Sequence, residues 1–279
     1  MRRMLWGVGL ILVIGAAVGL GCSNDPPPIR EAKPINGGSS DKPVELPTMT
    51  PPDKFDPAAK AIVDEAIKAH TNGQPELLQK LKSVEYSRDG QALAGGQLPI
   101  SSKWLIHAAW PNRIRFHLEM PDRPINILCR TGDKVWQSSG GTKFDPQDDF
   151  ARDFRVDATS EWLWMLFPLT ESSTVLATAP ETNANTRPAV GVRVWAHGVT
   201  DAILHFDKET KLLVRLTFEG RESRRKVTKE ILITSHKTFH GLTLPDKMIL
   251  KADGNVLAEW NTTALDFRPT IDPKVFENP

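Results

Sequence analysis

The feature that most constrains the fold is an alternation of apolar and polar side chains with a period of two residues. It is clearest at residues 202–206 and 212–218, which are separated by the short polar stretch 207–211. This period is typical of a half-buried β-strand, and two such runs joined by a short turn predict an antiparallel hairpin. The chain is therefore expected to build at least part of its core from antiparallel sheet.

The alternation also predicts the register of this hairpin. If Asp207 faces Lys211, apolar side chains meet across the two strands, pairing Phe206 with Leu212, Leu204 with Val214 and Ala202 with Leu216. The opposite face then carries the polar side chains His205, Arg215 and Glu219. A slip of one residue would reverse the buried face, so the pattern favours this register.

The same period predicts most of the remaining secondary structure as strands. They are expected at residues 102–109, 113–119, 125–130, 134–138, 227–234, 247–251 and 256–267. Helices are indicated at the start of this region, where Asp56 and Pro57 are suited to the N-cap and the first position of a helix, and residues 74–82 form a second short one. Without strand–helix–strand alternation, the fold class is α+β, mainly β, with a large curved antiparallel sheet.

One segment departs from the strand pattern. Residues 159–169 predict a helix with its N-cap at Thr159 or Ser160 and its end at Pro168. Its side chains are apolar all round, so the helix is expected to be buried on every side. Two interpretations follow: the helix packs in the core under the sheet, or it lines a cavity for an apolar ligand.

The first 21 residues have the composition of an export signal. Arg2 and Arg3 precede an apolar run at residues 5–20, and Gly21 stands immediately before Cys22. This layout predicts a signal peptide over residues 1–21. The Cys after Gly21 resembles the lipobox of bacterial lipoproteins, in which that Cys carries the lipid. The alternatives are an uncleaved anchor helix, since residues 4–21 are just long enough to span a bilayer, and cleavage without lipidation.

Residues 22–54 are expected to be a lipidated Cys22 followed by a disordered tether. The stretch is rich in Pro and Gly and cannot bury enough apolar surface to compensate for its ordering entropy. The alternative is a loop packed on the domain. Ser23, rather than Asp, follows Cys22, which in bacterial lipoproteins favours the outer membrane over the inner. The remaining domain, residues 55–279, is thus expected to be membrane-anchored in the cell envelope and to face the periplasm.

Short motifs in this domain resemble the LolA/LolB-type superfamily of outer-membrane lipoprotein-sorting carriers. A Gly-Asp-Lys-Val-Trp hairpin turn lies at residues 132–136, and an Asp…Thr…Leu hairpin at 207–212. The chain ends on an Ile-Asp…Phe…Pro pattern at 271–279, and Gly-Leu-Thr-Leu-Pro at 241–245 fits the strand before it. The resemblance covers residues 55–279 and implies a half-open β-barrel whose concave face is covered by helices.

The resemblance also implies that the concave face holds an acyl chain of a lipid or of a lipoprotein, in the service of lipid or lipoprotein trafficking. The wall or lid of such a cavity is assigned to Trp162, Trp164, Met165 and Phe167. The concave face is assigned to Leu204, Phe206, Val214, Leu216 and Phe218. The alternative function is an envelope interaction or sensor module that has the same fold but a filled core.

Sequence signals of catalysis are lacking. The chain has no Gly-x-Ser-x-Gly elbow, no His-Glu-x-x-His helix, no Cys-x-x-Cys pair and no phosphate-binding loop. Strand pairing about residues 110–113 would place His107 and His117 on opposite faces of the sheet, which argues against a metal site. We therefore expect a binding protein with neither a cofactor nor a metal, rather than an enzyme.

The charges and the second cysteine complete the sequence-based expectations. Lys and Arg number 35 against 34 Asp and Glu, a balance that argues against a nucleic-acid partner. Cys129 lies in an apolar strand and is expected to be a buried thiol. A basic cluster is formed by Arg221, Arg224, Arg225 and Lys226. It is interpreted either as a solvated hairpin tip or as a contact for anionic headgroups or an acidic partner protein.

Overall fold

A computed structural model describes residues 50–51, 56–93, 99–184, 186–196, 201–222 and 225–277. The predictions for the signal peptide, for Cys22 and most of the tether, and for Arg224 fall outside the described residues. Within the described ranges, none of the helices has both the length and the hydropathy needed to cross a bilayer.

The described residues form two α-helices, three 3-10 helices and thirteen strands. The α-helices are α1 (Pro57–His70) and α2 (Asp148–Leu163), and the 3-10 helices are Pro75–Lys82, Phe167–Thr170 and Pro273–Phe276. The strands are β1 (Ser83–Ala92), β2 (Ile100–Ala109), β3 (Arg113–Glu119), β4 (Asn126–Thr131), β5 (Lys134–Ser139), β6 (Thr142–Phe144), β7 (Val175–Ala184), β8 (Arg187–Trp195), β9 (Ala202–Asp207), β10 (Leu213–Glu222), β11 (Arg225–Phe239), β12 (Leu242–Ala252) and β13 (Asn255–Phe267).

The strands make one antiparallel, curved and unclosed sheet. Their order is β6-β5-β4-β3-β2-β1-β13-β12-β11-β10-β9-β8-β7, so β6 and β7 are the two edges. Because α2 follows β6 and precedes β7 in the chain, the connection has to run from one edge of the sheet to the other. It does so over the concave side, which α2 covers. The predicted α+β half-barrel with N-terminal helices and an internal helix is confirmed.

The main core lies between the helices and the concave face of the sheet. The start of α1 is as predicted: the carboxylate of Asp56 caps the helix by accepting from the backbone N–H groups of Ala58 and Ala59 at 2.9 and 3.2 Å. The buried face of α1 includes Ala59 and Val63, and the helix packs on β7, β8 and β12. The apolar residues of α2 and of the turns after it join the same core.

A second, smaller apolar cluster contains the C-terminal turn of the described chain. Phe276 packs with Ile127, Cys129 and Trp136, and its carbonyl oxygen accepts from Trp136 Nε1 at 2.9 Å and from Cys129 Sγ at 3.2 Å. Burial raises the pKa of the Cys129 thiol to about 12. The prediction of a buried thiol at this position is confirmed, and the thiolate form is strongly disfavoured.

The predicted register of the β9–β10 hairpin is wrong. The observed partners are Leu213 with Phe206, Leu216 with Leu204 and Phe218 with Ala202, with a bulge between Leu213 and Arg215. Leu213, next to the bulge, makes two long-range hydrogen bonds. The Leu213 N–H donates to His70 Nε2 at 2.9 Å, and the Leu213 carbonyl accepts from His236 Nε2 at 2.9 Å. Two histidines therefore take up the backbone groups of this residue.

The predicted helix over residues 159–169 is displaced toward the N-terminus. α2 begins at Asp148 and ends at Leu163, and a separate 3-10 turn follows at Phe167–Thr170. Thr159 and Ser160 are not N-caps: their hydroxyl groups donate to backbone carbonyls of the preceding turn, at 2.7 Å in both cases. Asp148 and Asp149 lie in the first turn, where negative charge stabilises a helix.

Candidate functional site: a small cavity beneath α2

A cavity of about 50 Å³ lies between α2 and the concave face of the sheet. The sheet contributes mostly apolar lining, from Trp104, Phe116, Leu128, Phe218, Ile231, Leu250 and Trp260. α2 contributes polar lining, from Asp157, Ser160 and Glu161. Two cations of the sheet, Arg88 and Lys229, complete the wall. The space is sufficient for a few water molecules and far below the roughly 300 Å³ at which ordinary ligand pockets begin.

Arg88 on β1 holds the carboxylate of Glu161 on α2 in a two-pronged ion pair. The guanidinium Nη1 and Nη2 donate to the two carboxylate oxygens at 3.1 and 2.8 Å. The Tyr86 hydroxyl donates to the same carboxylate at 2.9 Å, and Trp164 Nε1 donates to it at 3.0 Å. Charge-assisted pairs of this geometry are among the stronger protein hydrogen bonds.

Arg88 is enclosed by aromatic rings as well as by the carboxylate. Its guanidinium carbon lies 5.0 Å from the ring centre of Tyr86, 5.1 Å from Trp164 and 5.5 Å from Trp260. Burial by itself raises the pKa of Glu161, but attraction to Arg88 and the hydrogen bonds it receives keep that pKa below its ordinary value. Both members of the pair are therefore charged at neutral pH.

A second buried ion pair joins α2 to β11. Lys229 Nζ lies 2.7 Å from Asp157 of α2 and 3.1 Å from Glu222 of β10, and the Lys229 side chain is 1 % exposed. A glycine in β10 makes room for the lysine stem, because a Cβ at Gly220 would lie 2.7 Å from Lys229 Cδ. Burial raises the pKa of Asp157 to about 6, with the attraction of Lys229 acting against that rise.

Several polar atoms of the lining residues make no hydrogen bond within the described part of the chain. They are Arg88 Nε, Asp157 Oδ1 and Trp260 Nε1. A buried polar group without a partner is costly, and native proteins keep few of them. Three such atoms belong to residues that line this one cavity.

The residues predicted as the wall or lid of the cavity fill the core instead. Trp162, Trp164, Met165 and Phe167 are each at most 1 % exposed. The rings of Trp162 and Phe167 pack edge-on against Trp110, with ring centres 5.3 and 5.5 Å apart. None of these four residues lines the cavity beneath α2. In the structure, these four residues are packed in the main core.

Of the five residues predicted for the concave face, one lines the cavity, three belong to the main core and one belongs to another cluster. Phe218 is in the lining, whereas Leu204, Phe206 and Leu216 belong to the main core outside it. Val214 belongs to a separate small cluster with Ala184 and Ala189. The bulge in β10 at this residue breaks the alternation that would have placed Val214 on the concave face.

The basic residues predicted as a headgroup or partner contact have acidic neighbours where they are described. Arg221 lies 4.0 Å from Asp153, Arg225 lies 3.2 Å from Asp253, and Lys226 pairs with Glu219. Each of these three cations has a carboxylate nearby, so the described part of this hairpin does not carry a large uncompensated positive charge.

The two histidines considered as a metal pair lie on the same face of the sheet, contrary to the prediction. His117 pairs with Leu105 and His107 with Arg115, which shifts the expected register by one residue. Each histidine contacts a carboxylate of its own, Glu85 or Glu119. Among the described residues, no group of three or more His, Cys, Asp or Glu side chains is arranged to hold a metal ion.

Sequence reasoning missed the charged residues of the cavity, although part of the signal was present. Arg88 follows Val84 and Tyr86 at two-residue intervals, and Lys229 precedes Ile231 by two. Each cation therefore occupies a core-facing position of its strand. A charge in the apolar register of a strand is the pattern that could have identified both.

Solved structures of similar fold exist. A LolA superfamily protein from Nitrosomonas europaea superposes with a TM-score of 0.52 at 11% identity, covering 78% of this chain and 96% of that chain. A DUF1329 family protein from Desulfovibrio piger gives a TM-score of 0.49 at 14% identity, with 78% and 96% covered. A putative outer membrane lipoprotein-sorting protein domain from Vibrio parahaemolyticus gives 0.48 at 9% identity, with 78% and 97% covered.

Sequence comparison adds nothing to this. No protein-family model matches the chain, and no curated protein matches its sequence. The match to the Nitrosomonas europaea protein shows that the chain has the LolA-like fold, which confirms the resemblance at the level of architecture.

Proposed function

We propose that this chain is a non-catalytic, LolA-like envelope protein that binds an acyl chain of a lipid, or of the lipid moiety of a lipoprotein, on the concave face beneath α2. The observation that carries the proposal is the mismatch between the two sides of the cavity. The sheet offers aromatic and aliphatic side chains, while α2 covers them with Asp157, Ser160 and Glu161.

At about 50 Å³ the cavity is too small for an acyl chain, so binding requires α2 to move away from the sheet. A helix that closes over an apolar surface through carboxylates and a hydroxyl gains less from burial than an apolar helix would. An acyl chain laid on the same surface gains about 0.8 kcal/mol per methylene. A C16 chain thus supplies roughly 10 kcal/mol before the costs of ordering and association, and this gain competes with the core contacts of Phe154, Trp162 and Leu163 that α2 loses on moving.

The proposed location follows from the N-terminal segment and the fold together. The signal peptide (residues 1–21), the lipidated Cys22 and the tether to residue 54 would anchor the domain (55–279) in the envelope, facing the periplasm, at the outer membrane rather than the inner. A domain held on such a tether would exchange lipid or lipoprotein acyl chains away from the membrane surface. The LolA-like fold supports a role in trafficking of this kind.

The test is identification of a bound lipid. The full chain is produced in a bacterial host, purified in dodecyl maltoside and examined by native mass spectrometry, and any bound molecule is then extracted and identified. We expect a stoichiometric adduct that contains an acyl chain. Leu250→Phe, which adds bulk inside the cavity, is expected to reduce the occupancy several-fold.

Leu244→Phe is the matched control, because Leu244 is a buried core residue of the same strand that does not line the cavity. It is expected to lower stability by a similar amount, about 1–3 kcal/mol, while leaving lipid occupancy unchanged. A lipid-free mass that persists after incubation with phospholipid vesicles would refute the proposal. Equal loss of lipid in the two variants would show that the cavity is not the binding site.

A second candidate function is an envelope interaction or sensor module with a filled core. It is favoured by the complete burial of Trp162, Trp164, Met165 and Phe167 in the closed structure. A lipid-free wild-type chain in the experiment above would place this function first.

A further inference from the structure

If α2 moved away from the sheet, one of the two buried cations of the cavity would keep a carboxylate partner and the other would not. Lys229 would retain Glu222, which lies on β10 and therefore stays with the sheet. Arg88 would not, because among the described residues its carboxylate partner is Glu161 of α2. The other groups around its guanidinium are the rings of Tyr86, Trp164 and Trp260.

Movement of α2 away from the sheet therefore leaves the guanidinium of Arg88 on the concave face without a counter-ion. Arg88 is 4 % exposed in the closed structure and is surrounded by aromatic rings. A guanidinium cannot lose its proton to escape burial, as a lysine can. An acyl chain laid over Arg88 would bury an unpaired cation, which is strongly unfavourable unless another anion takes the place of Glu161.

We propose that the ligand of the concave face is an acyl chain that carries an oxyanion, a carboxylate or a phosphate, and that this group replaces the Glu161 carboxylate at Arg88. The inference rests on the proposed function, since it specifies the ligand of the same site. In the closed state the carboxylate of α2 occupies the position that the ligand's head group takes in the open state.

The donors for such a group are already assembled on the sheet. Departure of Glu161 frees Arg88 Nη1 and Nη2 and the Tyr86 hydroxyl, all of which point to the carboxylate now. Arg88 Nε and Trp260 Nε1 have no partner within the described residues even in the closed state. All of these donors belong to β1 and β13, so they remain in place when α2 leaves. The planar guanidinium suits both carboxylates and phosphates.

The test compares probes that share one chain length and differ in the head group. Palmitate, hexadecyl phosphate and the neutral hexadecanol are titrated into the full chain in dodecyl maltoside, and occupancy is measured by native mass spectrometry. We expect at least about tenfold tighter binding of one or both anionic probes than of hexadecanol, because a charge-assisted pair replaces a buried unpaired cation. Tightest binding of palmitate would identify a fatty-acid carboxylate, and tightest binding of hexadecyl phosphate a phosphate head group.

The Arg88→Met/Glu161→Leu double variant replaces the pair by apolar side chains of similar size, an exchange that buried pairs often tolerate. It is expected to bind all three probes with similar affinity. Arg193→Met/Asp201→Leu is the matched control: it replaces another buried arginine–carboxylate pair, which does not line the cavity, leaves Arg88 and Glu161 in place, and is expected to keep the tenfold preference.

A further measurement needs no variant. Palmitate labelled with carbon-13 at the carboxyl group is bound to the wild-type chain and titrated by NMR. The pKa of its carboxyl group is expected to lie at least one unit below that of the same probe in detergent micelles, because Arg88 stabilises the anion.

The outcomes separate this inference from the proposed function. Binding of all three probes with equal affinity would overturn the oxyanion inference and leave acyl-chain binding standing. Retention of the preference in the double variant, or an unlowered pKa of bound palmitate, would also overturn it. Failure of every probe to bind would overturn both.

Discussion

The Lys229→Met variant gives the most direct test of the electrostatics beneath α2. The substitution removes the cation that lies 2.7 Å from Asp157 and keeps a side chain of similar length. Glu222, the other partner, is 19 % exposed and can turn toward solvent, whereas Asp157 is 9 % exposed and cannot. The variant therefore leaves one buried carboxylate without its counter-ion.

The magnitude follows from the protonation of Asp157. In the wild type its pKa is raised from 3.8 to about 6, so between these values the folded chain holds a proton that the unfolded chain lacks. Over this window the contribution of Asp157 to stability decreases as pH rises, and above pH 6 it is constant. Without Lys229 the folded-state pKa moves higher still, so stability continues to decrease above pH 6. The variant thus loses stability relative to the wild type as pH rises above 6, by up to about 1.4 kcal/mol per pH unit until the pH passes the raised pKa of Asp157.

The assay is urea unfolding of the full chain in dodecyl maltoside, followed by tryptophan fluorescence at pH 6, 7 and 8. Lys226→Met is the control, because Lys226 lies on the same strand, is 57 % exposed and pairs with Glu219 at the surface. It is expected to change stability by less than about 1 kcal/mol, independently of pH. A destabilisation by Lys229→Met that does not grow between pH 6 and pH 8, or the same slope in Lys226→Met, would refute the reasoning.

Three further predictions concern the parts of the fold that support the site. Burial holds the pKa of His70 near 3, so the wild type should lose stability as pH falls from 6.5 toward 4, and His70→Gln should flatten that slope by about 1.4 kcal/mol per pH unit in urea unfolding. Phe276→Ala should cost about 3–5 kcal/mol and make Cys129 accessible to thiol labelling, read by peptide mass spectrometry; no gain in labelling would contradict the burial argument. Gly90→Ala should destabilise more than Gly220→Ala, because its Cβ would meet a backbone carbonyl at 2.0 Å rather than a flexible lysine stem at 2.7 Å; the comparison needs only the two unfolding midpoints.

Local sequence patterns predicted much of the sheet and the first helix. Features that depend on contacts between residues distant in sequence were not predicted. Asp56 and Pro57 identified the start of α1 because an N-cap and a first-turn proline act within a few residues. The bulge at Leu213 escaped prediction: the Leu213 N–H donates to His70, 143 residues away in sequence, and a local pattern does not contain such a contact. Strands β1, β6, β7 and β8 were not predicted. β1 carries charges in its alternating pattern, and β7 is an edge strand that contains Pro180.

The charged residues of the cavity were missed because large apolar side chains were taken as the sign of a ligand-binding cavity. The large side chains of residues 162–167 satisfy one another in the core, where aromatic packing needs no further partner. Arg88 and Asp157, by contrast, occupy positions where polarity lowers stability unless each is paired. Residues that break the apolar pattern of their element are therefore the better indication of function here.

The same contrast explains why a polar lid suits the proposed ligand. A lid closed by apolar burial alone would be displaced by any sufficiently large apolar molecule, since burial is not directional. A lid closed by Glu161 on Arg88 is displaced without a charge deficit only by a molecule that brings an oxyanion together with an apolar chain. Selectivity then arises from the cost of leaving Arg88 unpaired rather than from the shape of the cavity, so a small closed cavity and a long ligand are compatible.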